Sequence, residues 1–460
     1  MFVCDKNQAN KGSDLIIIAE SMREVLSQAS ETFSLQVFDG GEFRRMVDHA
    51  LTATKRWQKR QRLLRAPLML WTVVAMSLFR SLSISNVFLK ILDAMRGDLD
   101  VKVKAVTNEA VYKARGRLGW EPLRLFALSL PQLQSPAATF FGFVPVAIDG
   151  VRMDVPDSPL NRVGFGVLPE SRGPCAFPQL SGAMLIYTDT RLIIDAVWGA
   201  WHMSELTVVP MLLDNLGPQH VLFLDRRYTK VELWLDLLLE RHIHFVHRVS
   251  KAYDTSPLRP LGPGDWIIDV QGHELRLIEY RVGDNEVVQI ITDLTDPIKY
   301  PARELALGYH ARWEIELAYD EAKTHLSSVL HGTLHTVFRS KTPAGVIQEA
   351  WGLVAAYNLL RGLMVEAGQT YNIPPLEISF VDTLEVVRNA MPRMQSTTPA
   401  KRPVLYRRMI RDIADCRLDR PRRKRVVARV VKRKMSNFKL KRPGDRSLHR
   451  DFAAELVLVE

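Results

Sequence analysis

Cysteine is nearly absent from this 460-residue chain: Cys4, Cys175 and Cys416 stand far apart and odd in number. That excludes a disulfide framework and any zinc-knuckle spacing. A reducing compartment fits such usage, and a cytoplasmic location is expected. Long apolar runs are missing too. The longest, from Ala66 to Phe79, falls short of the roughly 20 residues that a membrane-spanning helix needs. It reads as a buried helix, and no membrane partner is expected. The start carries Asp5, Lys6, Asn7 and Gln8 before a brief Leu15-Ile16-Ile17-Ile18, which is not the order of a signal peptide. No repeat at solenoid or propeller period is visible. With 47% hydrophobic and 25% charged residues, wholesale disorder is excluded, and the length suits roughly three packing units.

What is present in excess is positive charge in one place. From Lys401 to Arg442 there are eighteen Lys or Arg against Asp412, Asp415 and Asp419, so this segment carries +15 of a net +11 and the rest of the chain carries −4. A solvated tail is the plain reading. A polyanion partner explains the density better, because clustered cations release counterions condensed on phosphates. Arg422, Arg423, Lys424 and Arg425 form its centre and are candidate DNA contacts. A second cluster, Lys55 to Arg62, holds Trp57. A third lies on a helix predicted from an N-cap at Thr107 to Gly119, with Lys113, Arg115 and Arg117. Either serves as a DNA contact or as an ordinary exposed helix face.

The texture of the chain changes along its length. Residues 1–140 read as helical. Short β-branched runs follow at Val144–Ile148, Ala183–Tyr187, Leu192–Trp198, His220–Leu224 and His242–Val249, the later ones separated by helical stretches at 205–216 and 229–241. This is the order of an α/β core with a mixed sheet. From 251 to 300 the helical signal vanishes and three strand-like runs around Gly272 and Gly283 predict a β-rich insertion. Helix returns at Leu305 and again from Pro343 to Glu366, ahead of the basic segment.

One stretch, residues 309–323, carries a charged stripe. Tyr309, Arg312, Glu316 and Lys323 fall within a sector about 60° wide on an ideal helix, and Ile315, Ala318, Ala322 and Leu326 lie opposite. The carboxylate is suited to a cation and the other three to phosphate oxygens. The alternative is a surface ladder in which Arg312 and Glu316 pair at i,i+4 for a few tenths of a kcal/mol.

Tyr, two residues, Arg, three residues, Glu, six residues, Lys is the signature of the insertion sequence 4 family of bacterial DDE transposases, which this chain resembles at all four positions. Residues 107–120, 147–166 and 353–361 are also similar to family segments, so the likeness runs from about residue 30 to 370. The resemblance implies an RNase H-like core whose Asp, Asp and Glu bind two Mg²⁺ ions, with Mn²⁺ as a substitute. Such ions activate an oxygen nucleophile and neutralise charge on phosphorus. Asp149, delivered by Val144–Ile148, is the expected first acid, although an acid closing a strand is also an ordinary turn former. Asp225 is the second, followed by Arg226 and Tyr228 as in the family's second motif, with Arg227 where Gly is usual; an N-cap is the plain alternative. Glu316 is the third. Asp154, Asp157, Asp189, Asp195 and Asp293 are set aside.

The resemblance further implies cleavage and strand transfer at terminal inverted repeats, double-stranded DNA as partner and target, and a homodimer pairing two ends. Tyr309, Arg312, Lys323 and Arg226 are the expected DNA contacts near the acids. The expected division is 1–140 as a helical DNA-binding domain, 141–250 with 301–370 as the catalytic core, 251–300 as the insertion, and 371–460 as a DNA and dimer contact region. The insertion resembles those of members that pass through a DNA hairpin, yet Val287-Val288-Gln289 lacks the usual Trp, leaving Trp266 or Tyr280 as substitutes. His242, His244 and His247 read as structural, and Trp313 as core. The alternatives are a catalytically silent DNA-binding protein and a metal-dependent nuclease of the same fold.

Overall fold

The apolar run at 66 becomes a helix with nowhere exposed: every residue of Ala66–Leu78 is buried, as a helix apolar on all sides requires. The computed structural model describes residues 41–459 except 59–63, 81, 97–106, 168, 171–172, 175–176, 229, 250–255, 284–285, 327–337, 419–424, 427–429, 432–438 and 441–449. The helices before residue 140 are α1 (Gly41–Ala53), α2 (Ala66–Leu78), α3 (Ile84–Arg96), α4 (Asn108–Leu118) and α5 (Glu121–Ser129). Thr107 caps α4 as expected, its side chain accepting from the amide of Ala110, and Gly119 ends it at φ 71°.

A ten-stranded sheet forms the centre. Strand β1 (Val144–Asp154) leads into the short helix α6 (Pro159–Phe165), then β2 (Gln179–Tyr187), β3 (Ile193–Ala200), helix α7 (Glu205–Leu213) and β4 (His220–Leu224). Helix α8 (Val231–Leu235) continues as a π-helical turn, Asp236–Glu240, into β5 (His244–Arg248). Strands β6 (Pro257–Gly262), β7 (Asp265–Val270), β8 (His273–Val282) and β9 (Val288–Thr292) follow.

In space the first five strands run β3-β2-β1-β4-β5. β1 to β3 are antiparallel neighbours, whereas β4 runs parallel to β1 and β5 parallel to β4. Three antiparallel strands followed by two parallel ones in this order are the RNase H-like arrangement. The strands of 257–292 extend the same sheet, because β9 pairs with β5 and is followed outward by β8, β7 and β6. Buried Arg276 ties them to the core: it forms a two-pronged pair with Asp265 at 2.7 Å and donates to the carbonyl of Tyr300 at 2.7 Å.

Two expectations need correction. First, β1 does not stop at Asp149: it pairs with β2 as far as Asp154, while its pairing with β4 ends at Ala147. Second, the stripe is not one regular helix. It comprises α9 (Ala302–Tyr309), a 3₁₀ turn at His310–Trp313, α10 (Glu314–Asp320) and a π-helical turn at Glu321–His325.

Behind it runs α11 (Pro343–Tyr371), buried along most of its length and packed against α2 and α5. The approach to α2 is so close at Gly352 that a Cβ there would stand 2.7 Å from Val73. Helices α12 (Phe380–Gln395) and α13 (Arg402–Asp415) complete this layer. The chain then returns to the sheet, where β10 (Leu456–Leu458) pairs with β8 and the Phe452 ring stacks on His310 at 3.9 Å. The described residues on either side of the densest basic run, α13 before it and β10 after it, both pack on the core. Among the described residues no helix is long and apolar enough to cross a membrane.

Candidate active site

The termination of a parallel pairing leaves a notch beside β1. Beyond Ala147, β1 has lost its β4 neighbour, and Asp149 and Asp225 flank the gap. Each acid has one oxygen fixed by the next amide: the N–H of Gly150 donates to Asp149 Oδ1 at 2.8 Å, and that of Arg226 to Asp225 Oδ1 at 2.6 Å. The stretch 309–320 lies across the notch and is fastened to both strands by tyrosines. Tyr309 Oη donates to the carbonyl of Leu224 at 2.9 Å, and Tyr319 Oη donates to the carbonyl of Asp149.

Arg312 stands between the acids. Its side chain is 6% exposed, with Nη2 donating to Glu316 Oε1 at 2.9 Å and Nη1 3.6 Å from Asp149 Oδ2. Burial opposes its charge, but Tyr309, Asp225 and Glu316 together hold its pKa above the ordinary arginine value. Nη1 makes no hydrogen bond, so charge holds that end. One cation thus pairs with acids from β1 and α10 and lies within the electrostatic reach of Asp225 at the end of β4. The Arg312–Glu316 pair anticipated from spacing exists, but with a buried partner and not as a surface ladder.

The remaining anticipated residues are placed as follows. Tyr309 is buried, burial raises its pKa, and its hydroxyl is directed inward at the Leu224 carbonyl. This is not the outward phosphate contact expected of it. Lys323 is half-buried on the π-helical turn, lowered in pKa by burial against the pull of Asp154. The ideal-helix step that grouped it with Arg312 and Glu316 does not hold through that turn. Arg226 and Arg227 are exposed beside Asp225. Arg422, Arg423 and Lys424 lie outside the described residues, and Arg425 belongs to a two-residue strand, Arg425–Val426.

Several structural readings change. Arg115, expected on an exposed face, is buried and donates to Gln348 Oε1 at 2.9 Å and Ser340 Oγ at 3.1 Å. Trp313, expected in the core, is 41% exposed with the Arg312 guanidinium over its ring at 5.4 Å. Tyr280 is buried near Arg248 and Arg312, and Trp266 packs partly buried on the core. Of the acids set aside, Asp157 pairs with Arg162, Asp195 with Asn215 and Arg124, and Asp293 with His244.

Sequence reading missed Tyr319 and Arg248 and named His247 only as structural. Tyr319 fastens Asp149. Arg248, at the end of β5, lies near Tyr280 and Tyr309. His247 sits fully buried beside Leu224 with both ring nitrogens unbonded, and burial pushes its pKa down to about 3 against the pull of Asp225. A histidine in the strand-like run 242–249 was the available signal.

The family model described as Insertion element 4 transposase N-terminal matches residues 42–127, and that described as Transposase DDE domain matches residues 143–359. Over 394 residues the chain is 29% identical to the transposase InsG for insertion sequence element IS4 of Escherichia coli, covering 81% of this chain and 86% of that protein. The chain belongs to the insertion sequence 4 family of DDE transposases. A solved structure, the piggyBac transposase synaptic complex with hairpin DNA, is a distant likeness at 12% identity and TM-score 0.43, covering 82% of this chain and 84% of that one. The transposase is an enzyme that acts on DNA, and its family generally uses a divalent metal.

Among the described residues no three His, Cys, Asp or Glu side chains are gathered closely enough to hold a metal ion. Asp149 and Glu316 instead meet at Arg312, with Asp225 acting on it electrostatically. Their donor chemistry still suits a hard divalent cation, since all are carboxylate oxygens, and the place between them already favours positive charge.

Proposed function

We propose that Asp149, Asp225 and Glu316 are the carboxylates with which this transposase cuts and joins DNA at the terminal inverted repeats of its element. The observation that carries the reading is that Arg312 pairs with both Asp149 and Glu316, and feels the charge of Asp225, at the point where β4 ends beside β1. They are the residues that would hold Mg²⁺, as two ions, with Mn²⁺ able to substitute. When bound, such metal activates the attacking oxygen and neutralises charge developing at the phosphorus.

The remaining steps belong to side chains. The amides of Gly150 and Arg226 fix one oxygen of each aspartate, and the other oxygen of Asp149 faces Arg312. Tyr309 and Tyr319 set the height of the helical stretch over the two strands. Exposed Arg226 and Arg227, with Lys323, form the approach for backbone phosphates, whose oxygens they pair with by charge-assisted hydrogen bonds. Arg312 has the charge to join them once its carboxylate partners are engaged elsewhere.

In this reading residues 1–140 bind the repeat, 141–250 and 301–370 form the catalytic core, 251–300 are its insertion, and 371–460 contact DNA and a second copy. The cationic run from Lys401 to Arg442 supplies sequence-independent affinity. A homodimer follows from the need to hold two transposon ends together. Replacing Glu316 by Gln tests the assignment: cleavage of a labelled inverted-repeat duplex is lost while gel-shift binding is retained. Unchanged cleavage would reject it.

A further inference from the structure

Two buried carboxylates bracket Glu316 on its own helix, and the chemistry above uses neither. Glu314 and Glu321 are seven residues apart and fall within about 20° of each other, whereas Glu316 is turned about 160° away from Glu314. Both are buried, with Glu314 2% exposed. Arg191, in the turn between β2 and β3, reaches both of them: Nε donates to Glu314 Oε2 at 2.6 Å, and Nη1 donates to Glu321 Oε1. Arg361, fully buried on α11, donates to Glu321 from Nε at 3.1 Å and also from Nη2. Tyr357 Oη, also on α11, donates to Glu321 Oε2 at 2.9 Å.

Two carboxylates and two guanidiniums thus balance in a chain that crosses three elements. Burying them carries a desolvation cost that a well-packed apolar cluster of similar volume would avoid. What an apolar cluster lacks is direction: forked guanidinium contacts fix both rotation and height. Direction matters here because α10 is flanked by a 3₁₀ turn and a π-helical turn, so regular winding does not set the angle of Glu316. Arg191 is itself held at φ 59°, a conformation that persists only where surroundings enforce it.

We infer that Arg191, Glu314, Glu321 and Arg361 are positioning residues that lock the buried face of α10 to the β2–β3 turn and to α11, and so aim Glu316 into the notch. The inference rests on Glu316 being catalytic. None of the four needs to touch DNA or metal.

The test uses the full-length protein with Arg191→Lys, which keeps the charge but cannot fork between two carboxylates, and Tyr357→Phe, which removes one hydrogen bond and no charge. Single-turnover cleavage of a labelled inverted-repeat duplex is followed against Mn²⁺ concentration. Gel-shift affinity, thermal melting and direct Mn²⁺ binding by electron paramagnetic resonance accompany it, with Glu316→Gln alongside. Arg191→Lys is expected to slow cleavage about ten- to a hundredfold, the scale of an ångström-sized misplacement. It should also raise the half-saturating Mn²⁺ concentration, leave DNA affinity unchanged, and be partly rescued by excess Mn²⁺. Tyr357→Phe, which folds without an unpaired charge, should shift the same quantities less. Wild-type rate and half-saturation in both variants, or a loss of amplitude alone, overturns the inference. If Glu316→Gln cleaves normally, the assignment of Glu316 itself fails, whatever the other variants do.

Discussion

Replacing Arg312 by Gln perturbs the site at the point where its charges meet. The guanidinium lies 2.9 Å from Glu316 Oε1 and 3.6 Å from Asp149 Oδ2. At an effective dielectric of about 20, a pair at 3.6 Å attracts by roughly 4–5 kcal/mol before desolvation is counted. The Glu316 side chain is 39% exposed, so solvent screening cuts its share well below that. A cation that binds these acids in the free protein must displace the guanidinium or share them with it. If only about 1.4 kcal/mol of the competition survives, its removal strengthens divalent binding about tenfold. Glutamine keeps much of the volume and a hydrogen-bonding end, so the helix should stay seated. Titration of the DNA-free protein with Mn²⁺, read as loss of the free-ion resonance, should give a Kd about tenfold or more tighter in the variant, while its gel-shift affinity for the repeat falls. An equal or weaker Mn²⁺ Kd in a folded variant would mean that the guanidinium does not compete for these acids.

Other perturbations give equally definite outcomes. Tyr309→Phe leaves the buried Leu224 carbonyl without its donor and should lower unfolding free energy by about 1–3 kcal/mol in urea; an unshifted midpoint would mean the bond carries nothing. Burial opposes ionisation of Glu321 and of Glu349, an α11 acid beside Arg80 and Arg115, yet neighbouring arginines hold both pKa values below the usual 4.5. Their stabilisation is therefore complete above about pH 4.5 and lost as pH falls through the folded values. His247 acts earlier on the same limb, because the unfolded chain takes up a proton from pH 6.5 downward while the folded ring stays neutral to about 3. Melting temperature should decline on acidification from pH 7, and His247→Phe should flatten the decline between 6.5 and 4.5; an unaltered profile would remove His247 from the account. Neutralising Arg422, Arg423, Lys424 and Arg425 together should reduce the salt slope of DNA binding by up to about 3.6, at roughly 0.9 per phosphate contact. An unaltered slope would mean that the segment binds something else.

Features set by local pattern were legible in the sequence. The uninterrupted apolar run gave a buried helix, Thr107 a cap, Gly119 a stop, and His220–Leu224 a strand with the same bounds. The four-residue signature and the order of acids pointed to the family. Features set by tertiary packing were not legible. Whether Asp149 ends a strand depends on where β4 stops, since β1 itself continues along β2. An ideal helical step of about 100° puts Lys323 on the face of Glu316, but the 3₁₀ turn at His310–Trp313 and the π-helical turn at Glu321–His325 break that regular winding. Arginine looks alike on a solvent face and in a buried pair, so Arg115, Arg191 and Arg361 gave no hint of their partners, which lie far away in sequence. The return of residues 450–458 to the sheet was hidden behind the charge of the segment before it.

The shared role of the three acids as metal ligands is tested most directly by metal specificity. Asp149, Asp225 and Glu316 are replaced one at a time by Cys, and cleavage of the inverted-repeat duplex is measured in Mg²⁺ and in Mn²⁺. A thiolate is a poor ligand for Mg²⁺ and a better one for the softer Mn²⁺. Each variant should be inactive in Mg²⁺ and regain cleavage in Mn²⁺ while binding DNA normally. A variant that cleaves equally well in Mg²⁺ as the unaltered transposase would show that its carboxylate never held the metal.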